Sequence, residues 1–464
     1  MASRWVAFSV LSLGALMIVL DSTVVNVALP SIQASLGFSP AGLAWVVNGY
    51  MLTFGGFLLL GGRLGDLLGA RRVFLGGLVL FTLASLACGL APSSAWLVAA
   101  RAVQGLGGAV TSAVSLSLIM GLFPDEAGRA RAMGAYGFVA AGGGSLGLLV
   151  GGALTSVLNW HWVFLVNVPI GVAVFVATLL VVPASRGVGE ARHLDVGGAI
   201  TVTLALLLAV YAVVDARWWV LAVSAASFAA FVAIERRARA PLVPLALFRS
   251  RNVATANVVG VLWAAAMFAW FFLAALYMQL VLGYDALRVG LGFLAANVIM
   301  AVFSLGLSAR IVTRFGLRGP LALGLALAAV GLALFARAPV GGGYVVDVLP
   351  AMTLLGLGAG LAFNPVLLAA MGGVPPEDAG LASGVVNTSF MMGGALGLAV
   401  LASIAAARTR SLAGSGATLP GALTGGYHAA FLVGAVFAAL AALLGAVLLR
   451  PTATAPDAAA PVLA

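Results

Sequence analysis

The chain has no lysine. All 23 of its basic residues are arginine, 13 of its 464 residues are acidic, three are histidine and one is cysteine. Each shortage excludes something. With 8% charged and 63% hydrophobic residues there is too little charge to solvate the surface of a soluble protein of this length, so the chain reads as a polytopic membrane protein. The lone Cys88 lies in an apolar run, which excludes a disulfide framework and leaves a packing role. His161, His193 and His428 sit near connections, apart from any carboxylate cluster at metal-ligand spacing, and no phosphate-cradling glycine loop is present; no metal, cofactor or ATP-driven chemistry is expected. The net charge of +10 does not read as nucleic-acid binding, because the arginines stand singly or in small groups between apolar runs, as topology signals do. Arginine-only usage beside abundant Ala, Gly and Val hints at a GC-rich bacterial genome.

Long apolar runs are what the chain has in plenty. They fall near 8–29, 42–60, 73–91, 95–121, 132–157, 162–182, 195–214, 217–234, 254–282, 289–309, 320–336, 348–371, 383–406 and 427–449, each close to the length that crosses a bilayer. The expected fold is therefore all-α, with fourteen transmembrane helices. The first run is too long for a cleavable signal, lacks a cleavage-type end and contains Asp21. With the N-terminus in the cytoplasm, Arg4, Arg63, Arg71, Arg72, Arg129, Arg131, Arg186, Arg192, Arg236, Arg237, Arg239, Arg249, Arg251, Arg310, Arg314, Arg318 and Arg450 share that side. Only Arg217, Arg288, Arg337, Arg408 and Arg410 face outward, so both termini are expected to be cytoplasmic. No connection is long enough to fold as a soluble domain, so any site must lie among the helices.

An internal repeat organises the runs. Gly62–Arg72 (GRLGDLLGARR) between runs 2 and 3 resembles Ser308–Arg318 (SARIVTRFGLR) between runs 10 and 11, with Arg63, Gly69 and Arg71 aligned on Arg310, Gly316 and Arg318. Two six-helix bundles follow, at 1–182 and 254–450, if the run pair inside 183–253 is an insertion; 451–464 reads as a disordered tail. Parallel halves of this kind place a substrate site between them near the midplane.

Asp21 stands inside the first run, and an ionised carboxylate in hydrocarbon costs at least a few kcal/mol. It needs a partner, a wet cavity or a proton. Arg101 is the natural partner: it lies about six residues into run 4 from the outside and Asp21 about nine residues from Pro30, depths of roughly 9 and 13 Å. The pair can meet directly or through Gln104 and water. Two readings stand for each residue: Asp21 as a carboxylate that gains and loses a proton or as a structural acid bonded to Ser22, Thr23 or a neighbouring helix, and Arg101 as its partner or as a snorkelling interfacial arginine.

Five motifs in order carry a resemblance. They are Leu20–Pro30 (LDSTVVNVALP), the Gly62–Arg72 segment, Arg101-Ala-Val-Gln104-Gly105-Leu-Gly107, the run-5 glycines Gly134, Gly143, Gly147, Gly151 and Gly152, and Trp162–Gly171 (WVFLVNVPIG). Over nearly its whole length the chain resembles the fourteen-helix drug:proton antiporter group of the major facilitator superfamily. That resemblance implies proton coupling at Asp21, Arg101 and Gln104, a cytoplasmic gate at Gly62, Arg63, Gly65, Asp66, Gly69, Arg71 and Arg72, and an antiporter motif in the run-5 glycines. Three positions depart from the pattern: Leu148 replaces a proline, Leu67 an arginine, and Thr313 stands where the first copy has Asp66. The first bears on export direction, the others on a thinner cytoplasmic charge network.

Gate and stripe also have elementary readings. Asp66 can dock on a helix N-terminus of the opposite half, or the segment can simply set topology. The glycines give a side-chain-free stripe for close packing, as a sliding plane or as generic membrane packing. Polar, aromatic and adaptable residues inside apolar runs are candidates for a substrate cavity: Asn26, Asn48, Tyr50, Thr111, Trp263, Trp270, Tyr277, Gln279, Asn297, Asn364, Asn387, Met391 and Met392. Pro365 is expected to kink its helix. Scarce in-span acids favour neutral, weakly charged or anionic amphipathic cargo. The expected function is non-enzymatic: a monomeric, proton-driven exporter of amphipathic drugs, antibiotics or related small molecules in the bacterial cytoplasmic membrane, touching lipids and protons but no nucleic acid. The alternative keeps the fold and is a lipid or metabolite transporter with a different cargo or direction.

Overall fold

The computed structural model describes residues 4–123, 125–183, 195–238, 241–243, 245–303, 307–371, 374 and 379–450, and no strand occurs among them. Helices are the open-chain way to satisfy every backbone N–H and C=O inside a bilayer. In chain order they are α1 (Arg4–Leu36), α2 (Trp45–Leu68), α3 (Ala70–Gly89), α4 (Ser94–Leu122), α5 (Glu126–Val157), α6 (Trp162–Val181), α7 (Val196–Val214), α8 (Val220–Arg237), α9 (Arg251–Leu276), α10 (Ala286–Val302), α11 (Arg318–Phe335), α12 (Leu349–Met371), α13 (Ala379–Gly414) and α14 (Leu419–Leu448). Among the described residues, eleven helices are long and apolar enough to cross a membrane. The expected runs lie on helices, but three fall short of that measure. Among the described residues of α5 the apolar stretch is Leu146–Val157, α8 ends on Glu235, Arg236 and Arg237, and α10 is short and broken at Phe293. The expected tail 451–464, together with Arg186, Arg192, His193 and Arg239, lies outside the described residues.

Scarce acids are placed where helices begin. Asp125, Asp195 and Asp285 cap α5, α7 and α10 by accepting the backbone N–H of Gly128, Gly198 and Arg288, each at 2.7 Å. Ser93 and Thr418 cap α4 and α14 in the same way. Asp21 is therefore unlike the other aspartates named here: it sits in mid-helix.

The two ends of the bundle can be told apart. Arg4 lies 3.9 Å from Asp125, and Asn252 at the start of α9 exchanges hydrogen bonds with the backbone of Arg450. Near their C-terminal ends, α1 and α9 meet where Gln279 donates to the Val27 carbonyl. Arg4 and Arg450 thus share one face, here the near face. Trp96, Trp162, Trp218 and Trp219 are exposed at the far-face starts of α4, α6 and α8, the position of an interfacial aromatic belt.

The repeat is visible as duplicated geometry. The Gly62–Arg72 segment, expected as the connection between runs 2 and 3, is almost wholly helical: α2 runs to Leu68, α3 begins at Ala70, and Gly69 alone turns the chain, at φ +90°. In the second half a short helix, Ser308–Phe315, ends at Gly316, with φ +72°. Only glycine takes such angles without strain. Just past each turn an arginine caps a distant helix end: Arg71 donates to the Leu179 carbonyl of α6 at 2.6 Å, and Arg318 to the Ala446 carbonyl of α14. At the far face His161 bonds the Gly89 carbonyl ending α3, and His428 the Ala338 carbonyl just past α11, both at 2.8 Å. So α3–α6 and α11–α14 are built alike.

In the first half α4 packs on α2 and α3, and α1 on α5 and α6; in the second half α11 packs on α12 and α14, and α9 on α13 and α14. The halves meet where α2 lies on α13 and α5 on α10, and α7 packs against both α2 and α13.

Candidate functional site

The deepest polar cluster forms inside the first half. Asp21 is wholly buried, and its Oδ2 accepts from Nη1 of Arg101 at 2.6 Å. Its Oδ1 accepts from the side-chain amides of Gln104 and Asn167, both at 2.8 Å. Arg101, 1% exposed, donates through Nε to the Val46 carbonyl at 3.0 Å and through Nη1 to Oε1 of Gln104 at 2.7 Å. Its guanidinium lies over the Tyr50 ring at 4.3 Å. Ser85 completes the shell: its hydroxyl accepts from Gln104 and Asn167, each at 3.0 Å, and donates to the Phe164 carbonyl at 2.9 Å.

The partners come from five helices. α1 supplies the acid, α2 a carbonyl and a ring, α3 Ser85, α4 the arginine and Gln104, and α6 Asn167. Burying two opposite charges costs several kcal/mol per ion unless geometry is good and the remaining hydrogen-bonding capacity is met. Here the carboxylate has three donors, and the guanidinium has three acceptors and the Tyr50 and Phe164 rings, so the ion pair is tolerated deep in the bundle. Sequence reasoning brought Asp21, Arg101 and Gln104 together but missed the bonds of Ser85 and Asn167. Asn167 sits inside the Trp162–Gly171 motif, and a lone amide in so apolar a segment was the available signal.

Of the gate residues, Gly62–Leu68 occupy the last turns of α2, where Asp66 is exposed. Arg71 reaches α6 of its own half, whose C-terminus offers it free carbonyls. Arg72 is exposed. Gly65 packs on Val114 of α4.

The glycines of α5 form two faces. A Cβ on Gly143, Gly147 or Gly151 would collide with Val19, Thr23 or Val24 of α1, so this stripe lies directly along the helix that carries Asp21. Gly152 faces the Ala286 carbonyl of α10, and Gly290 of α10 faces the Leu148 carbonyl; Leu148 itself is buried beside this seam. Gly134 lies on α5, its surroundings outside the described residues.

The candidate cavity residues do not gather in one place. Met391 and Met392 lie against Gly55 on the α2–α13 seam, and Gln279 bonds across to Val27. Thr111 is instead packed against Gly77 of α3 within one half, and Tyr277 is tied to the Pro339 carbonyl at the far face. Trp270 belongs to an aromatic cluster with Phe271 and Phe293. Asn26 bonds its own helix at Thr23. Asn48, Tyr50, Trp263, Trp270 and Asn297 are buried with polar side-chain atoms that have no partner among the described residues. Asn364 is half-buried and Asn387 exposed. A cavity of about 300 Å³ opens at the far face and is lined by none of these residues.

Known proteins share this sequence and this fold. The chain is 41% identical over 445 residues to the cephamycin export protein CmcT of Amycolatopsis lactamdurans, covering 93% of this chain and 90% of that protein. It is 37% identical over 455 residues to the puromycin resistance protein pur8 of Streptomyces alboniger, covering 96% and 90%. The lincomycin resistance protein of Streptomyces lincolnensis is 38% identical over 411 residues, covering 87% and 84%. The structure of the nucleoside transporter NupG superposes with a TM-score of 0.68 at 12% identity over 96% of this chain and all of that one, a likeness of fold. The Major Facilitator Superfamily model matches residues 11–398. The chain is a multi-pass membrane protein and belongs to the major facilitator superfamily.

Proposed function

We propose that the protein is a proton-coupled antiporter that exports amphipathic small molecules of the antibiotic type from the bacterial cytoplasm by alternating access. The observation that carries this reading is the buried Asp21–Arg101 pair, a protonatable acid held by a cation in mid-membrane. Loading a proton on Asp21 cancels its attraction to Arg101 and loosens α1 from α4; losing the proton restores it. A cavity that opens alternately to the two sides converts that difference into exchange of cargo for protons. Relatives named for cephamycin export and for puromycin and lincomycin resistance support the cargo class.

In this reading the near face is cytoplasmic, with both termini there, since Arg63, Arg71, Arg72, Arg236, Arg237, Arg249, Arg251, Arg310, Arg314, Arg318 and Arg450 lie on it. Fourteen spans divide into bundles at 1–182 and 254–450, and the hairpin of α7 and α8 is an insertion that braces the α2–α13 seam. The test uses everted vesicles with an acidified lumen. Cargo should accumulate inside and leave when the gradient is collapsed with nigericin. Accumulation that is indifferent to the gradient, or driven only by ATP, would overturn the reading.

A further inference from the structure

The far-face cavity belongs neither to the Asp21 cluster nor to the candidate substrate residues. Its walls come from all three parts of the chain: Pro40 and Leu43 from the connection between α1 and α2, Val214 at the end of α7, and Phe272 and Leu276 of α9, closed by α13 and α14. The body is apolar. Of its polar wall residues, Gln33, Ser39, Thr409, Arg410 and Tyr427, the last two stand out. Arg410 lines the cavity, is exposed, and forms no ion pair with a carboxylate among the described residues, although Asp215 follows the wall residue Val214. Tyr427 is 4% exposed, lines the cavity, and its hydroxyl makes no hydrogen bond among the described residues.

An arginine on this face runs against the charge asymmetry that orients the chain, and the Tyr427 hydroxyl opens to the cavity with no hydrogen-bond partner among the described residues. Both are answered by the same ligand group, an anion that accepts from the guanidinium and the phenol. At about 300 Å³ the cavity is at the small end of ligand pockets, sized for one or two fused rings rather than an acyl chain.

We propose that this cavity is a second binding site, for a compact amphipathic carboxylate, with the ring system between Phe272, Leu276 and Leu43 and the carboxylate on Arg410 and Tyr427. Because one wall belongs to the first half and the opposite wall to the second, the ligand binds the conformation in which the far ends are together. Its occupation therefore opposes opening of that side. The inference rests on the export reading only in identifying the occupant as cargo already delivered outside, which would make the site one of product inhibition.

The test uses the full-length carrier in phosphatidylcholine nanodiscs, with 2-naphthoate as probe and uncharged 2-naphthamide as its isostere. Binding is read as the saturable rise in unfolding temperature. Naphthoate should stabilise the wild type, naphthamide should bind at least about tenfold more weakly, and Arg410→Gln should lower naphthoate affinity by about tenfold or more. Ala406→Trp should abolish the response by filling the cavity; if that variant does not fold, Ser39→Trp fills it from the opposite wall. Equal affinities for the two probes, or an unchanged Arg410→Gln, overturn the proposal. Loss of the naphthoate response when phosphatidylglycerol is added to the discs assigns the site to a lipid headgroup and also overturns it. The readout needs no proton gradient, so failure of antiport in everted vesicles would sink the export reading and leave this result standing.

Discussion

Replacing Asp21 with asparagine keeps the size of the side chain and removes its charge. The carboxylate accepts three hydrogen bonds, at 2.6, 2.8 and 2.8 Å, from Arg101, Gln104 and Asn167. Asparagine offers one acceptor oxygen and one NH₂, and that NH₂ must face a donor. Arg101 keeps Val46, Gln104 and the Tyr50 ring, but its charge is no longer balanced. Stranding one member of a buried pair costs about 3–5 kcal/mol, and the contacts Arg101 retains put this case near the lower end. About 3 kcal/mol is roughly a hundredfold in the unfolding equilibrium, readable by reversible unfolding in mixed micelles. Adding Arg101→Gln removes the stranded cation and should recover at least half of the loss. Gradient-driven efflux should be absent in both the single and the double variant. Efflux that survives Asp21→Asn at normal protein levels refutes the coupling role. A double variant no more stable than the single one refutes the charge-balance argument.

Gly147→Val should abolish transport, since even a Cβ there would lie 3.0 Å from the Leu20 carbonyl and closer still to the Thr23 hydroxyl. Gly144→Val, where an added Cβ meets no atom of the described residues within 4 Å, should transport normally. Arg71→Ala and Arg318→Ala should each cost about 1 kcal/mol of stability as lost helix C-terminal caps, and the losses should add, because the two sites lie in different halves. Glu235, at the near-face end of α8 beyond the expected span, is 4% exposed, and burial pushes its carboxyl up to about 7; the N–H of Val243 pulls against this and Asp195 adds to it. The folded chain then binds more protons than the unfolded chain between pH 4.5 and 7. The favourable contribution of this acid is whole below 4.5 and lost as pH rises through about 7. The unfolding temperature should fall across that window in the wild type and stay flatter in Glu235→Gln.

The spans were legible because apolar length and charge scarcity are one-dimensional signals. Asp21 and Arg101 were legible because an in-span charge must find a partner at similar depth. Asn167 was not: it lies 146 residues from Asp21, and amides are too common in membrane helices for type alone to single one out. The gate segment read as a loop because glycine and arginine accumulate there, yet one glycine at positive φ suffices to turn the chain, so the rest stays helical. The cavity set failed to gather for a related reason. These helices are apolar all round, so no stripe indicates which side faces a neighbour and which the seam. Thr111 against Gly77 and Met391 against Gly55 could not be distinguished beforehand.

The position of α1 explains how an acid enclosed in one half could act on the other. One face of α1 presents Asp21 to α4 and α6, while Val19, Thr23 and Val24 lie on the glycine stripe of α5. A stripe without side chains resists sliding less than interdigitated ones would, so α1 can shift along α5 when its hold on Arg101 changes. α5 meets α10 of the other half through Gly152 and Leu148, and α1 reaches α9 through the Val27 carbonyl. Val27 is six residues beyond Asp21, about 9 Å along the helix. Under the proposed coupling, a displacement at the acid is passed to these far-face contacts between the halves through directly packed helices. Leu148 fits this arrangement: unlike proline it keeps its backbone N–H for the helix, so the hydrogen-bond ladder of α5 is not interrupted beside the seam.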